Sequence, residues 1–243
     1  MLTTVYALLF YAATLILVAG LFAKIRQYAL TPAPLKIPTT PAPTTRSGVA
    51  LRMTREVVLF ESLFKASKWT WIFGWMFHAA LVLIVARHLR YVTQPVWDWV
   101  VLIQPFGVYA GFAFIIGLAG VWLRRLFVDR VRYISGPSDH LMLALLVGIG
   151  ASGLAMKFLA HTDVIAVKAF MLGLIYFDWQ PLPAQPLVLA HLGLVIVLMI
   201  IFPFSKLLHA PGVFFSPTRN QADNAREVRH VTPWANKVVG PGE

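Results

Sequence analysis

The sequence contains no cysteine and few charged residues, and both shortages limit what the protein can do. Without a cysteine among its 243 residues, the chain has no disulfide, no thiolate-bound iron–sulfur cluster and no covalent C-x-x-C-H haem attachment. Only 13% of the residues are charged and 58% are hydrophobic, a composition unlike that of a soluble globular protein. With a mean hydropathy of +0.72, most of the chain must lie in a lipid bilayer. The composition therefore predicts an integral membrane protein.

Five apolar stretches are long enough to cross the hydrocarbon core, which takes about 20 helical residues. We expect these spans at residues 1–26, 69–92, 100–125, 140–161 and 186–209. The apolar stretch between spans four and five is too short to cross and carries Lys168, so residues 162–185 are predicted to form a periplasmic interfacial segment. Span one has no basic residue before it and is followed by Lys24 and Arg26, which favours a retained helix over a cleaved signal peptide.

The distribution of basic residues sets the orientation. Seventeen of the 21 lysines and arginines fall between spans one and two, after span three, or in the C-terminal segment. By the positive-inside rule these segments are cytoplasmic, and the N-terminus is periplasmic. The net charge of +11 thus reflects membrane topology, and we expect no binding of nucleic acid. The chain is predicted to lie in a bacterial cytoplasmic (inner) membrane with its C-terminus in the cytoplasm.

Two cytoplasmic segments lie outside the spans. Residues 27–68 begin with a proline-rich linker, which cannot hold a helix, and continue as an amphipathic helix from Arg55 to Lys68. Residues 210–243 contain four prolines and many small polar residues, so we expect an irregular tail. Docking on a partner and disorder are equal alternatives for this tail.

Four histidines occupy two spans at intervals that suit metal binding. His78 and His88 are ten residues apart on span two, which is about 15 Å along a helix and leaves them on one broad face. His191 and His209 are 18 residues apart on span five, which is about 27 Å and five full turns. Because the two spans are antiparallel, His78 should lie level with His209, and His88 level with His191.

Each of these layers offers one imidazole from each side of a crevice, as bis-histidine ligation of haem iron requires. The sequence therefore predicts an all-α bundle of five transmembrane helices that binds two b-type haems. Gly74 lies one turn from His78, where it either makes room for a macrocycle or allows close helix packing. Basic residues are expected to pair with haem propionates, namely Arg87 and Arg90 at the outer layer and Arg124, Arg125 or Lys206 at the inner layer.

A second pair of histidines, His140 and His161, marks the two ends of span four and is a rival ligand set. For His140 the alternative is a structural role at the membrane interface. His161 is also a candidate to bind a quinone carbonyl and to pass protons. Three further residues on the outer side are candidates for the same quinone site, namely Lys157, Asp98 and Gln104.

The five spans and the paired histidines on spans two and five resemble the cytochrome b (gamma) subunits of respiratory nitrate reductases. The sequence of residues 61–68, the Trp-Met-Phe-His sequence that ends at His78, and the Ser-Pro-Thr-Arg-Asn-Gln sequence of residues 216–221 most resemble the DsrM subunits of DsrMKJOP sulfur-metabolism complexes. The nitrate reductase subunits use a lysine at the quinol site near the start of span three. Here that region offers Gln94, Asp98 and Gln104, so the family's quinone-site residues do not transfer.

This resemblance implies a haem near the cytoplasm held by His78 with His209, and a haem near the outer face held by His88 with His191. Menaquinol or ubiquinol would react at the outer layer, and electrons would cross the membrane. The implied partners are a cytoplasmic iron–sulfur subunit, DsrK-like and similar to heterodisulfide reductase, and further subunits in the membrane and on the periplasmic side.

The leading hypothesis is therefore an electron-transfer subunit of a quinone-linked oxidoreductase in dissimilatory sulfur metabolism. The alternatives are a gamma subunit of a nitrate-reductase-type complex, a transporter with a histidine proton relay, and a membrane anchor without cofactor. The transporter hypothesis lacks intramembrane carboxylates and any broken-helix repeat. The absorption bands of reduced haem b would separate a cytochrome from the transporter and the anchor.

Overall fold

A computed structural model describes residues 1–33 and 35–223, and the regular structure of these residues is helical. The α-helices are α1 (Leu2–Leu30), α2 (Arg46–Leu59), α3 (Glu61–Ala66), α4 (Lys68–His88), α5 (Asp98–Leu102), α6 (Gln104–Phe127), α7 (Asp129–Tyr133), α8 (Pro137–Phe158), α9 (Val164–Tyr176), α10 (Pro186–Ile201), α11 (His209–Gly212) and α12 (Pro217–Asn220). Short 3-10 turns occupy Leu89–Tyr91, Phe202–Phe204, Lys206–Leu208 and Val213–Phe215.

The prediction of five membrane spans is confirmed. Five helical stretches are long and apolar enough to cross a bilayer, namely Leu2–Leu30, Lys68–Tyr91, Gln104–Phe127, Pro137–Phe158 and Pro186–Phe204. The apolar helix α9 has 13 residues, fewer than the roughly 20 that a span needs. The protein is a multi-pass membrane protein built from a helical bundle.

Span three begins later than the sequence pattern suggested. Residues Asp98–Leu102 form the separate short helix α5, and α6 starts at Gln104. Pro105 lies in the first turn of α6, where a residue without an N–H costs no hydrogen bond. A proline at this place marks a helix start, so the apolar run around residues 100–103 belongs to the connection that precedes the span.

Span five is not one regular α-helix down to His209. The helix α10 ends at Ile201, and 3-10 turns follow at Phe202–Phe204 and Lys206–Leu208. The cause is Pro203, which has no N–H and whose ring clashes with the carbonyl one turn earlier. His209 begins the separate helix α11. The expectation that His191 and His209 are related by five regular turns therefore does not hold.

The amphipathic helix after the proline-rich linker begins earlier than expected and is interrupted. The helix α2 starts at Arg46, where the Thr45 hydroxyl accepts a hydrogen bond from the Gly48 N–H at 3.1 Å and caps the first turn. It ends because Phe60 adopts a left-handed conformation with φ 53°. The following helix α3 ends at Ala66, and Ser67 caps α4.

Backbone packing divides the chain into two units, of which the first contains residues 1–19 and 62–205. Within it, α4 packs on α6, α6 on α8, and α8 on α10. The contact between α4 and α6 is close because α6 presents Gly117 and Gly120 to Phe73 and Phe77 of α4. Extensive packing does not join α4 to α10. The His88 ring of α4 and the His191 ring of α10 nevertheless approach each other, and we call the space between these two helices the crevice.

The short helix α9 and the first half of α1 cover one side of this unit. Phe170 and Val188 are buried in a cluster with Ala7 of α1. The Tyr6 hydroxyl donates a hydrogen bond to the Leu189 carbonyl at 3.0 Å, and the Tyr11 hydroxyl donates one to the Leu174 carbonyl at 2.8 Å. These bonds satisfy tyrosine hydroxyls inside the apolar bundle. In addition, α9 packs against Leu89–Tyr91, the three residues that follow His88.

The second unit contains residues 20–61 and the C-terminal segment from Lys206. The Arg219 guanidinium pairs with the largely buried Glu56 carboxylate of α2 at 2.7 Å. The Thr39 N–H donates to the Thr218 carbonyl at 2.9 Å, and the Asp223 N–H donates to the Pro43 carbonyl at 2.8 Å. The tail that was expected to be irregular thus forms short helical turns as far as Asn220. It is also hydrogen-bonded to the proline-rich linker. The expectation for residues 224–243 lies outside the described residues.

We expect Gly117→Ala to destabilise the bundle because a Cβ at this position would lie 2.7 Å from the Phe77 Cβ and 2.9 Å from the Phe73 carbonyl oxygen. These atoms belong to the α4 backbone and to a Cβ fixed to it, so they cannot yield without moving the helix, and overpacking of this kind costs about 1–3 kcal/mol. The matched control is Gly148→Ala, whose Cβ would meet only the Leu194 Cδ1 at 3.4 Å. Thermal unfolding of the detergent-solubilised protein measures both. An equal melting temperature for the two variants would contradict this account of the α4–α6 contact.

Candidate functional site

The structure brings His88 of α4 and His191 of α10 together across the crevice. Their ring centroids are 6.4 Å apart and the ring planes differ by 14°. A bond between a metal and an imidazole nitrogen is about 2 Å long, and the centre of the ring lies about 1 Å beyond that nitrogen. Two imidazoles bound to one iron from opposite sides therefore have centroids about 6 Å apart. The observed separation fits a single iron between these two rings.

Hydrogen bonds fix which nitrogen each ring presents. The Nδ1 of His88 lies 2.6 Å from the Ile84 carbonyl oxygen, which can only accept, so this nitrogen carries the proton. The Nδ1 of His191 lies 2.9 Å from the Ser152 hydroxyl. That hydroxyl has one proton, which it gives to the Gly148 carbonyl at 2.7 Å or to a neighbouring carbonyl of α8, so its oxygen accepts from His191. Both histidines therefore present the Nε2 lone pair, as metal ligands do.

The other two predicted ligands have the same tautomer, each within its own unit. In the first unit the Nδ1 of His78 donates to the Gly74 carbonyl at 2.7 Å. In the second unit the Nδ1 of His209 donates to the Lys206 carbonyl at 2.9 Å. The pairing of His78 with His209 stays a prediction.

A role of Gly74 beside a macrocycle stays a prediction. A Cβ added at this position would meet only the Leu63 Cδ2, at an ordinary contact distance of 3.4 Å. What Gly74 supplies to His78 is its backbone carbonyl, which any residue would offer. Gly153 of α8 faces His191 of α10, since a Cβ added at Gly153 would lie 3.5 Å from the His191 Cε1.

The rival histidines of span four are not arranged as a ligand pair. The Trp122 indole N–H donates to the His140 Nδ1 at 3.0 Å, so the proton of neutral His140 is on Nε2. That nitrogen is then a donor and not a metal ligand. His161 lies in the turn after α8 with φ 44° and is exposed. His140 and His88 therefore have opposite tautomers, and only that of His88 leaves Nε2 able to bind a metal.

Two arginines flank the His88 layer and are held by span three. The Arg87 stem lies across Gly107, where an added Cβ would be 2.5 Å from the Arg87 Cδ. The buried Arg87 Nε has no hydrogen-bond partner among the described residues. Arg90 donates to the Gln104 Oε1 at 2.9 Å. A buried guanidinium with an open donor suits a carboxylate such as a haem propionate.

Of the four residues predicted for a quinone site, Gln104 is hydrogen-bonded within the bundle and the other three are exposed. Both the oxygen and the nitrogen of the Gln104 amide already have partners. The oxygen accepts a hydrogen bond from Arg90, and the nitrogen donates to the Val100 carbonyl at 3.0 Å and to the Arg87 carbonyl at 3.4 Å. Gln104 thus ties the end of span two to the start of span three. The other three, Asp98, Lys157 and His161, are exposed and form no side-chain hydrogen bond within residues 1–33 and 35–223.

Sequence reasoning missed Ser152 and Trp122, which set the tautomers of His191 and His140. The available signal for Ser152 is a lone hydroxyl between Gly150 and Gly153 in the middle of an apolar span. A polar residue at such a depth needs a partner. The identity of that partner depends on the α8–α10 contact, which the pattern of apolar residues does not give.

Comparison with known proteins shows which family the chain belongs to. The sequence profile of the nitrate reductase gamma subunit family matches residues 61–230, which include all four predicted ligands. A protein of Archaeoglobus fulgidus, named Hdr-like menaquinol oxidoreductase cytochrome b-like subunit, is 35% identical over 269 aligned residues, covering 92% of this chain and 81% of the relative. The protein of the same name from Archaeoglobus profundus is 34% identical and covers 90% of this chain and 79% of the relative.

We expect Ser152→Ala to weaken haem binding at the His88–His191 crevice without abolishing it. The substitution removes the acceptor that orients the His191 ring, and loss of such a partner typically costs about 10- to 100-fold in affinity. The rate of haem transfer to apomyoglobin measures the effect, with Ser138→Ala in the exposed first turn of the same helix as the control. Equal transfer rates for the two variants would remove Ser152 from the site.

Proposed function

Because the chain belongs to the nitrate reductase gamma subunit family, we propose that it is a dihaem cytochrome b subunit that exchanges electrons between membrane quinone and a partner subunit. The observation that carries this proposal is that the nearly parallel rings of His88 and His191 lie across the crevice with ring centroids 6.4 Å apart. Two neutral imidazoles in this arrangement, each with Nδ1 bonded to an oxygen of the protein, suit one haem iron. A bound haem supplies a one-electron carrier.

In this function the chain positions the cofactor and tunes it. The Ile84 carbonyl and the Ser152 hydroxyl hold the two rings and raise the basicity of their Nε2 atoms. Arg87, with its open Nε, and Arg90, held by Gln104, are the candidates to bind propionates.

The second haem would be held by His78 and His209. This part of the proposal is supported by the shared tautomer, since each Nδ1 donates to a backbone carbonyl. The resemblance to the gamma subunits supports the same pairing. The orientation with the N-terminus outside rests on the positive-inside rule, which puts the His78 layer near the cytoplasm and the His88 layer near the periplasm of a bacterial inner membrane.

The partner and the quinone are assigned by similarity. The relatives named as menaquinol oxidoreductase subunits cover nine-tenths of this chain, and their names favour menaquinone over ubiquinone. The term Hdr-like in those names agrees with a cytoplasmic iron–sulfur partner, DsrK-like and related to heterodisulfide reductase, in dissimilatory sulfur metabolism. A gamma subunit of a nitrate-reductase-type complex is the second candidate, because the family profile covers residues 61–230.

We expect the full-length protein to contain two haems and His88→Ala to contain one. Removal of one axial imidazole opens a coordination position at the outer layer, while the inner layer keeps its own ligands. The pyridine haemochrome assay counts haem per polypeptide, and the reduced-minus-oxidised spectrum identifies b-type bands.

The matched control is His140→Ala, because His140 is a half-buried histidine of the same unit with the opposite tautomer. This variant should keep both haems. An unchanged haem count in His88→Ala, or the loss of one haem in His140→Ala, would contradict the ligand assignment. A wild-type protein without b-type bands would remove the proposed function.

A further inference from the structure

Two buried polar side chains at the His88 end of the first unit have an oxygen without a partner. They are Thr162, in the turn after α8, and Gln185, the residue before α10. The Thr162 Oγ1 and the Gln185 Oε1 are shielded from solvent and form no hydrogen bond to the described residues. Burial without a partner is unfavourable for a polar atom, so each such atom calls for a ligand that the chain alone does not supply.

Both residues lie beyond the His88–His191 layer in the same direction. Gln185 precedes His191 by six residues, about 9 Å along the helix axis. On α8, Ser152 contacts His191, and the helix continues outward from there for about 9 Å before it ends at Phe158. Thr162 follows in the connection to α9. This connection starts beside α10 and leads to α9, which packs against Leu89–Tyr91 at the end of α4.

The connection therefore runs from the α10 side of the unit toward the end of α4. Thr162 in this connection has a shielded hydroxyl, and Gln185 has a shielded amide oxygen at the N-terminal end of α10. The exposed candidates Asp98, Lys157 and His161 do not offer a shielded polar atom of this kind. The remaining candidate, Gln104, has its amide committed to Arg90 and two carbonyls.

We propose that Thr162 and Gln185 bind the head group of the quinol beyond the His88–His191 layer, an inference that rests on the proposed function. The Gln185 Oε1 accepts a hydrogen bond from a quinol hydroxyl, and with the amide turned over its Nε2 donates one to a quinone carbonyl. The Thr162 hydroxyl both donates and accepts, and it serves the other oxygen of the ring in either oxidation state. The pair can therefore bind the ring in either oxidation state.

The test is a binding titration of the full-length, haem-loaded protein with 2-n-heptyl-4-hydroxyquinoline N-oxide, a fluorescent quinol analogue whose hydroxyl and N-oxide mimic the two quinol oxygens. Thr162→Val removes the hydroxyl and Gln185→Leu removes the amide group, each with little change in volume. We expect each to raise the Kd of the analogue by about three- to tenfold, the effect of one lost hydrogen bond. Thr162→Ser keeps the hydroxyl and should restore the wild-type Kd.

Two controls have the same chemistry with satisfied groups. The hydroxyl of Thr93, close to the same end of α4, donates to the Leu89 carbonyl at 2.8 Å. The amide of Gln180 donates to the Asp178 carboxylate at 2.9 Å. Thr93→Val and Gln180→Leu should leave the Kd unchanged.

Haem content and the reduced spectrum are measured on every variant, and they separate the two claims. If both haems are present and Thr162→Val and Gln185→Leu bind the analogue like the wild type, the inference is wrong and the proposed function stands. If the wild type lacks haem, the proposed function fails first. If Thr162→Val loses haem through misfolding, the Gln185→Leu and Thr162→Ser titrations decide.

Discussion

The hydrogen bond from a histidine Nδ1 to a nearby oxygen is the interaction on which the site depends. In His88 and His78 the acceptor is the carbonyl one turn earlier on the same helix, and in His191 it is the Ser152 hydroxyl of a neighbouring helix. Each bond holds the ring in one orientation and leaves the lone pair on Nε2. Without it, an imidazole in an apolar bundle would be a weak and poorly aimed ligand. His140, which accepts at Nδ1, shows the opposite arrangement in the same protein.

The helices of the first unit leave space between His88 and His191 because α4 and α10 do not pack against each other extensively. Glycines of α6 bring α4 close, and α8 packs on both α6 and α10, so three contacts in series leave α4 and α10 facing each other. Direct packing of α4 on α10 would close the space between His88 and His191. The same order explains why the arginines at the end of α4 are held by α6, through Gly107 and Gln104, and not by the helix across the crevice.

Much of this could be predicted from the sequence because hydrophobic length and helical spacing are local properties. The five spans follow from apolar runs, and the common face of His78 and His88 follows from an uninterrupted α4. The break of span five at Pro203 could also have been predicted from the sequence, since a proline inside a helix removes a hydrogen bond. The left-handed Phe60 and the partners of Ser152 and Gln104 were not predictable, because they depend on contacts between residues far apart in the chain. It was also not predictable that the Thr162 and Gln185 oxygens have no hydrogen-bond partner among the described residues, because this too depends on the positions of distant residues.

The central claim is that one iron is bound between His88 and His191. Near-infrared magnetic circular dichroism of the oxidised protein reports the axial ligands of low-spin haem directly, and comparison with His191→Ala isolates the contribution of this crevice. The account predicts a bis-imidazole charge-transfer band in the wild type, with about half of its intensity lost in the variant. A band of unchanged intensity in the variant, or a wild-type spectrum typical of histidine–methionine or high-spin ligation, would contradict it.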